Sequence, residues 1–413
     1  MQIKPVLAVL FSVVVCFSPS FGQKMITDIK PTVILISLDG FRYDYLDKHK
    51  PPTLTKMAAN GVRAKWMEPS FPTKTFPNHY TVVTGLYPQN HGIVENNVYD
   101  FGELFTMSKR REVQDPRWWG GEPIWATAEK QGQKAANYFW PGSEAPIGGK
   151  YASSYRMYNG YVPNTFRVDK VLGYLDQPQA TRPTILTMYI ADTDEVGHEF
   201  GPESAELGYA VHEVDAVIER LMRGLQVRGI EDKVNVIITS DHGMATYDAS
   251  KIIYLEDAFN KDDTEQVVTA SPLVQIFPKQ EKIETVFNAV KAVKDVTCWK
   301  KNEIPSKFNY NKGNRIAPIL CMADVGYLIG THKWYNDWSI NQDGVARPRG
   351  AHGWDNDLPE MRATFIAFGP AFKKGYVAEP FENVEIYNLM CKILGIKPAP
   401  NDGKLDRVKD MLR

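Results

Sequence analysis

Short, uninterrupted apolar runs alternate along the chain with longer stretches in which apolar residues recur every three or four positions. Residues 32–38, 183–190 and 234–240 are the clearest runs, and they end on Asp39-Gly40, Ala191-Asp192 and Asp241-His242-Gly243. A half-exposed strand would alternate apolar with polar, so continuous apolarity predicts strands buried on both faces of a parallel sheet. Helical spacing over 52–60 and 204–223 completes an α/β pattern, a mostly parallel sheet with helices on both faces. Ligands of such sheets bind beyond the carboxyl ends of the strands, where these runs release their Asp and His residues.

No internal repeat or Gly/Ser linker divides the chain, so residues 23–413 are read as one catalytic unit. Within it, 251–327 has a shorter strand-and-helix rhythm and many lysines, which predicts a small peripheral subdomain of the same fold. The apolar run from Val6 to Phe17 follows Lys4 and precedes Ser20 and Gly22, the pattern of a secretory signal over residues 1–22. That run falls short of the roughly 20 residues needed to cross a bilayer, and no later segment is long and apolar enough. An exported chain permits a bridge between Cys298 and Cys321, both in strand-like stretches. Cys391 falls at helical spacing within 386–394 and reads as a buried thiol.

Charge changes the picture by what it withholds. With 48 basic and 49 acidic side chains in 413 residues the net charge is -1, so no global field attracts a nucleic-acid duplex. An anionic substrate must be held by a local device. Asp39, Asp194 and Asp241, with His198, His242 and His352, all fall in or beside glycine-bearing loops after predicted strands. Asp194 and His198 are spaced to share one side of a helical turn, and Gly243 is expected to let the chain turn so that Asp241 and His242 face one site. Mixed nitrogen and oxygen donors favour zinc over magnesium or calcium, and six of them divide into two three-ligand sites with open positions. Two adjacent divalent ions suit phosphoryl chemistry.

A nucleophile is available in residues 72–80, Pro-Thr-Lys-Thr-Phe-Pro-Asn-His-Tyr. Pro77 fits the first turn of a helix, which places Thr75 at or near its N-terminus, where exposed N–H groups favour a developing negative oxygen. Thr73 and Ser70 are rivals that spacing alone does not exclude.

These segments resemble the nucleotide pyrophosphatase/phosphodiesterase family of the alkaline phosphatase superfamily. The likeness is carried, in family order, by residues 36–42 (Ile-Ser-Leu-Asp-Gly-Phe-Arg), 73–80, 85–93, 194–202, 240–244 and 352–356. It implies an alkaline-phosphatase-like sheet and two zinc ions, one held by Asp39, Asp241, His242 and Thr75, the other by Asp194, His198 and His352. It also implies that Thr75 forms a phospho-threonine intermediate, and that Asn96, rather than the neighbouring Asn97, donates to a non-bridging phosphoryl oxygen. Phe76, Tyr158 and Tyr189 resemble the family's aromatic slot for a nucleobase, and Trp140, within residues 139–143, matches the family's pattern near that pocket. The expected substrate is therefore a small nucleotide, cleaved at a phosphodiester or pyrophosphate bond to a nucleoside 5′-monophosphate. A lipid or choline head-group phosphodiesterase on the same bimetal site is the alternative. The chain resembles the compact, exported bacterial form of the family, which implies a periplasmic or secreted protein.

Overall fold

The computed structural model describes residues 25–100, 102–248, 250–333 and 349–413. The leader expected over 1–22 lies outside the described residues. The three apolar runs form Val33–Leu38, Ile185–Ile190 and Asn235–Thr239. They lie side by side and parallel, with Val33 level with Ile185 on one flank and with Asn235 on the other. They form the middle of an eight-stranded sheet in the order Tyr376–Ala378, Val62–Ala64, Phe365–Phe368, Asn235–Thr239, Val33–Leu38, Ile185–Ile190, Ala135–Tyr138 and Ser154–Arg156. Phe365–Phe368 runs against both of its neighbours, and every other pairing in this sheet is parallel.

Strand alternation explains the unbroken apolar runs. Val33 and Leu35 enter one core, and Ile34, Ile36 and Leu38 enter another on the opposite face. The second core is covered by Pro52–Asn60, Asn164–Leu175 and Ala205–Val227, the first by Thr75–Thr84, Ile124–Lys130 and Glu385–Leu394. The Ser204 hydroxyl caps the long helix by accepting the Leu207 N–H at 3.1 Å. That helix runs to Val227, one turn beyond the stretch expected from periodicity. The outer strands are only three or four residues long, too short for apolar pattern to reveal them.

Four antiparallel strands form a second sheet in the order Thr264–Ala270, Leu273–Pro278, Ile319–Ala323 and Val296–Lys300. The helix Ile283–Lys291 covers it through Val286, Phe287 and Val290. Cys298 and Cys321 stand directly opposite each other in this sheet, with Cα atoms 4.1 Å apart, and are disulfide-bonded. Closing a loop of this length contributes about 3 kcal/mol through the unfolded chain. A Cys298→Ala/Cys321→Ala double variant should therefore unfold in urea about 2–4 kcal/mol more easily; an unchanged midpoint would show that strand pairing alone fixes this sheet. Cys391 is buried in the helix Glu385–Leu394, and burial pushes its thiol up to about 12. Among the described residues no helix is long and apolar enough to cross a membrane.

Candidate metal centre

Two adjacent parallel strands deliver the first group of ligands. Ser37 pairs with Thr239, so Asp39 and Asp241 leave the sheet side by side at the same end. Gly40 makes this approach feasible: its φ is +64°, and a Cβ there would lie 3.0–3.1 Å from backbone and side-chain atoms of Asp194. Its N–H donates to Asp241 Oδ1 at 3.2 Å. Gly243 serves differently from the turn expected of it. It is not among the residues with positive φ, but a Cβ would lie 2.1 Å from the Glu360 carbonyl oxygen, so close packing requires glycine there. His242 Nε2 then lies 3.0 Å from Asp241 Oδ2 and 3.4 Å from Asp39 Oδ1.

The second group assembles from more distant elements. Asp194 and His198 share one side of the helix Asp192–Phe200, with Asp194 Oδ1 and His198 Nε2 3.4 Å apart. His352 follows the strand Arg349–Ala351, which pairs with Ala245–Tyr247. Its Nε2 is 3.2 Å from His198 Nε2 and 3.7 Å from Asp194 Oδ1. Asp39, Asp241 and His242 thus form one cluster and Asp194, His198 and His352 another, each able to surround an ion. The His242 and His352 rings join the two, stacked with centroids 3.5 Å apart and planes 12° from parallel.

The hydrogen-bond accounting fits cations. Each of the three histidines has Nδ1 2.8 Å from a backbone carbonyl, that of Gly350 for His198, Gly243 for His242 and Thr73 for His352. A carbonyl only accepts, so Nδ1 carries the proton and Nε2 is turned toward the cluster, the usual orientation of a ligating histidine. Asp39 Oδ1, Asp194 Oδ1 and Asp241 Oδ2 are buried and accept no hydrogen bond from the described residues. Lone pairs of buried oxygens and imidazole nitrogens therefore converge, an arrangement that a bound cation satisfies. Burial, then the charges of Asp241 and Asp194, raise the Asp39 carboxyl well above its ordinary range. Burial works against a charged His242, but the Asp241 carboxylate outweighs it and raises the imidazole.

Thr75 is the first residue of the helix Thr75–Thr84, and its Oγ1 lies 3.5 Å from His242 Nε2. The rival hydroxyls are engaged elsewhere. Thr73 Oγ1 donates to the Trp354 carbonyl at 3.0 Å and accepts the Gly353 N–H at 2.9 Å, while Ser70 Oγ donates to Asn383 Oδ1 at 2.8 Å. Asn96 Oδ1 accepts the Phe76 N–H at 2.8 Å, which fixes the orientation of the amide and leaves its NH2 as a donor beside the helix start. Asn97 instead opens the strand Asn97–Asp100.

A cleft of about 470 Å³ adjoins Thr75, with Phe76, Trp140, Tyr158 and Tyr189 in its walls. These four are not equivalent. Phe76 is half-buried against Trp119 and Phe105, and Tyr158 is exposed at the rim. Tyr189 donates its hydroxyl to Asp39 Oδ2 at 2.6 Å, and Trp140 is almost fully buried, its indole N–H bonded to the His79 carbonyl at 3.1 Å.

Two neighbouring residues are absent from the sequence reading. His79 Nδ1 donates to the Thr75 carbonyl at 2.8 Å and lies 3.4 Å from Asp241 Oδ2. Its position four residues after Thr75, on the same helical face, was the available signal. Lys74 is buried, its Nζ donating to the Ser271 carbonyl at 2.5 Å, and its stem fills the space beside Gly353, where a Cβ would lie 2.5 Å from Lys74 Cε. No local pattern marks that contact.

Fold and site together define an α/β protein whose strand ends carry a paired metal-ligand cluster beside a helix-borne hydroxyl. Residues 33–355 match the model of the type I phosphodiesterase / nucleotide pyrophosphatase family, and the chain belongs to that family. It is 38% identical over 397 residues to ectonucleotide pyrophosphatase/phosphodiesterase family member 3 of Rattus norvegicus, which covers 93% of this chain and 44% of that relative. A venom phosphodiesterase of Macrovipera lebetinus is 38% identical over 410 residues, covering 96% of this chain and 47% of that one. The chain spans about half the length of these curated relatives. A solved structure of murine ectonucleotide pyrophosphatase/phosphodiesterase 5, an inactive threonine-to-alanine variant in complex with AMP, has a TM-score of 0.85. That match is at 32% identity and covers 92% of this chain and all of the other. The alkaline-phosphatase-like sheet implied by the sequence is the fold observed.

Proposed function

We propose that the chain hydrolyses nucleotide phosphodiester or pyrophosphate bonds to nucleoside 5′-monophosphates, with Thr75 as nucleophile and two zinc ions as cofactors. The observation that carries this reading is the placement of Thr75 Oγ1 3.5 Å from His242 Nε2, between the ligand clusters and an aromatic cleft. Asp39, Asp241 and His242 with Thr75 would hold one ion, and Asp194, His198 and His352 the other. When bound, such ions offset phosphoryl charge and stabilise the attacking and leaving oxygens.

The remaining work belongs to the chain's own groups. Thr75 Oγ1 attacks phosphorus in line with the leaving oxygen, and water then cleaves the phospho-threonine ester. The Asn96 NH2 donates to a non-bridging oxygen, aided by free N–H groups of the first turn of Thr75–Thr84. Phe76 and Tyr158 offer ring faces to the base, and stacking of this kind contributes about 1–3 kcal/mol. Tyr189 holds Asp39 in place, and Trp140 closes the inner wall. The AMP complex of the solved relative supports a nucleotide as the ligand.

We also read residues 23–413 as one catalytic unit, with 251–327 as its peripheral subdomain; the Lys74–Ser271 bond supports this by tying the second sheet to the nucleophile. Export to the periplasm or medium is part of the proposal, and the Cys298–Cys321 disulfide suits an oxidising compartment.

The test compares hydrolysis of 4-nitrophenyl nucleoside 5′-phosphates with 4-nitrophenyl phosphate and 4-nitrophenylphosphorylcholine. The nucleotide diesters should be preferred, and zinc should restore the activity after chelation. Preference for phosphorylcholine would move the substrate to head groups on the same site. Inactivity on all three would overturn the enzymatic reading.

A further inference from the structure

Most polar groups in the cleft beside Thr75 are already engaged. Tyr189 and Trp140 donate to Asp39 and to the His79 carbonyl. Glu144 accepts the Tyr158 N–H at 2.7 Å and Arg110 at 3.1 Å, while a second Arg110 nitrogen donates to the Tyr158 carbonyl at 2.9 Å. Glu195 differs from these. It lines the same cleft from the helix Asp192–Phe200, yet its carboxylate takes no hydrogen bond from any described residue. The neighbouring Arg167 acts on it through charge alone, because that guanidinium donates its hydrogen bonds to the carbonyls of Val162, Tyr189 and Gly160.

An ionised carboxylate only accepts hydrogen bonds. A nucleobase with an exocyclic amino group supplies the missing donor, whereas one with a carbonyl at that position turns an acceptor toward an acceptor. We infer that Glu195 is a specificity-determining residue of the cleft, accepting a hydrogen bond from the exocyclic amino group of a nucleobase. The inference rests on the nucleotide reading above and narrows its substrate to amino-bearing bases. Glu195 is solvent-exposed, which limits the discrimination, because water competes for the same hydrogen bond. It stands next to Asp194 and on the same helix, so the base edge and the phosphoryl group would be read from one rigid element.

The experiment measures kcat/KM of the zinc-loaded protein on 4-nitrophenyl 5′-esters of AMP and IMP, and of CMP and UMP. Within each pair a carbonyl replaces an amino group. 4-Nitrophenylphosphorylcholine is the third arm, because a free carboxylate among aromatic rings also suits a quaternary ammonium. The amino-bearing ester should be favoured about tenfold in both pairs, and Glu195→Gln should bring each ratio close to one. Glu195→Asp keeps the acceptor and should keep the preference above one. Equal rates within the wild-type pairs would overturn the inference while leaving the nucleotide reading intact. A preference that survives Glu195→Gln would equally remove Glu195 from the role. Hydrolysis of the phosphorylcholine ester in place of every nucleotide ester would overturn both. If Glu195→Gln does not fold, the wild-type ratios and Glu195→Asp still decide.

Discussion

A Thr75→Ala chain should lose hydrolysis of nucleotide diesters by about a thousandfold or more while retaining its fold and most of its bound metal. The rival hydroxyls of Thr73 and Ser70 are committed to Trp354 and Asn383, and those of Tyr189 and Ser240 donate to Asp39 and to the His242 carbonyl. The substitution removes one hydroxyl and one methyl at the first position of a helix whose cap, Lys74, makes no side-chain capping bond. Its structural cost is therefore about 1 kcal/mol or less. Six carboxylate and imidazole ligands remain, so metal content measured by atomic absorption should stay near wild type. Turnover close to wild type would remove Thr75 from the mechanism, and loss of both metals would assign it to ligation alone.

Chelation should abolish activity and lower the melting midpoint by about 5–10 °C, with zinc restoring both. The expected size follows from the site's own chemistry. Buried oxygens of Asp39, Asp194 and Asp241 converge with three imidazole nitrogens, and no hydrogen bond from the described residues satisfies those oxygens. Burial and the charges of Asp241 and Asp194 raise the Asp39 carboxyl, and, against burial, the Asp241 carboxylate raises the His242 imidazole. Burial, together with the charges of His242, Lys74 and His198, holds the His352 imidazole well below its ordinary value. Differential scanning calorimetry with and without chelator checks this, and an unchanged midpoint would show that the clusters do not bind metal tightly in the folded chain.

The parallel centre of the sheet was legible because strands buried on both faces need apolar residues without interruption, as in 32–38. The polar residues that end such runs were legible for the same reason, and Asp39, Asp194 and Asp241 stand just beyond them. The outer strands were not, since Val62–Ala64 and Tyr376–Ala378 are too short to show a period. Gly243 was read as a turn because sequence shows a glycine's freedom but not its neighbours. Its constraint comes from the Glu360 carbonyl, more than a hundred residues away along the chain. Lys74 and Glu195 escaped for a related reason. A charged residue beside a motif looks solvated until the fold shows what surrounds it, a carbonyl for Lys74 and an aromatic cleft for Glu195.

The seat of Thr75 is assembled from parts remote in sequence. Residues 73 and 74 are held by the loop 352–354 and by Ser271, and the last ligand of the second cluster is His352 itself. As a ribosome extends the chain from its N-terminus, six of the eight strands of the large sheet and five of the six Asp and His ligands emerge before that loop. Until residue 352 is free to dock, Thr73 lacks its partners and the second cluster lacks its third arm. The nascent chain would be inert toward nucleotides throughout most of its synthesis, and competence would arrive only late, with the last strands of the large sheet still to follow.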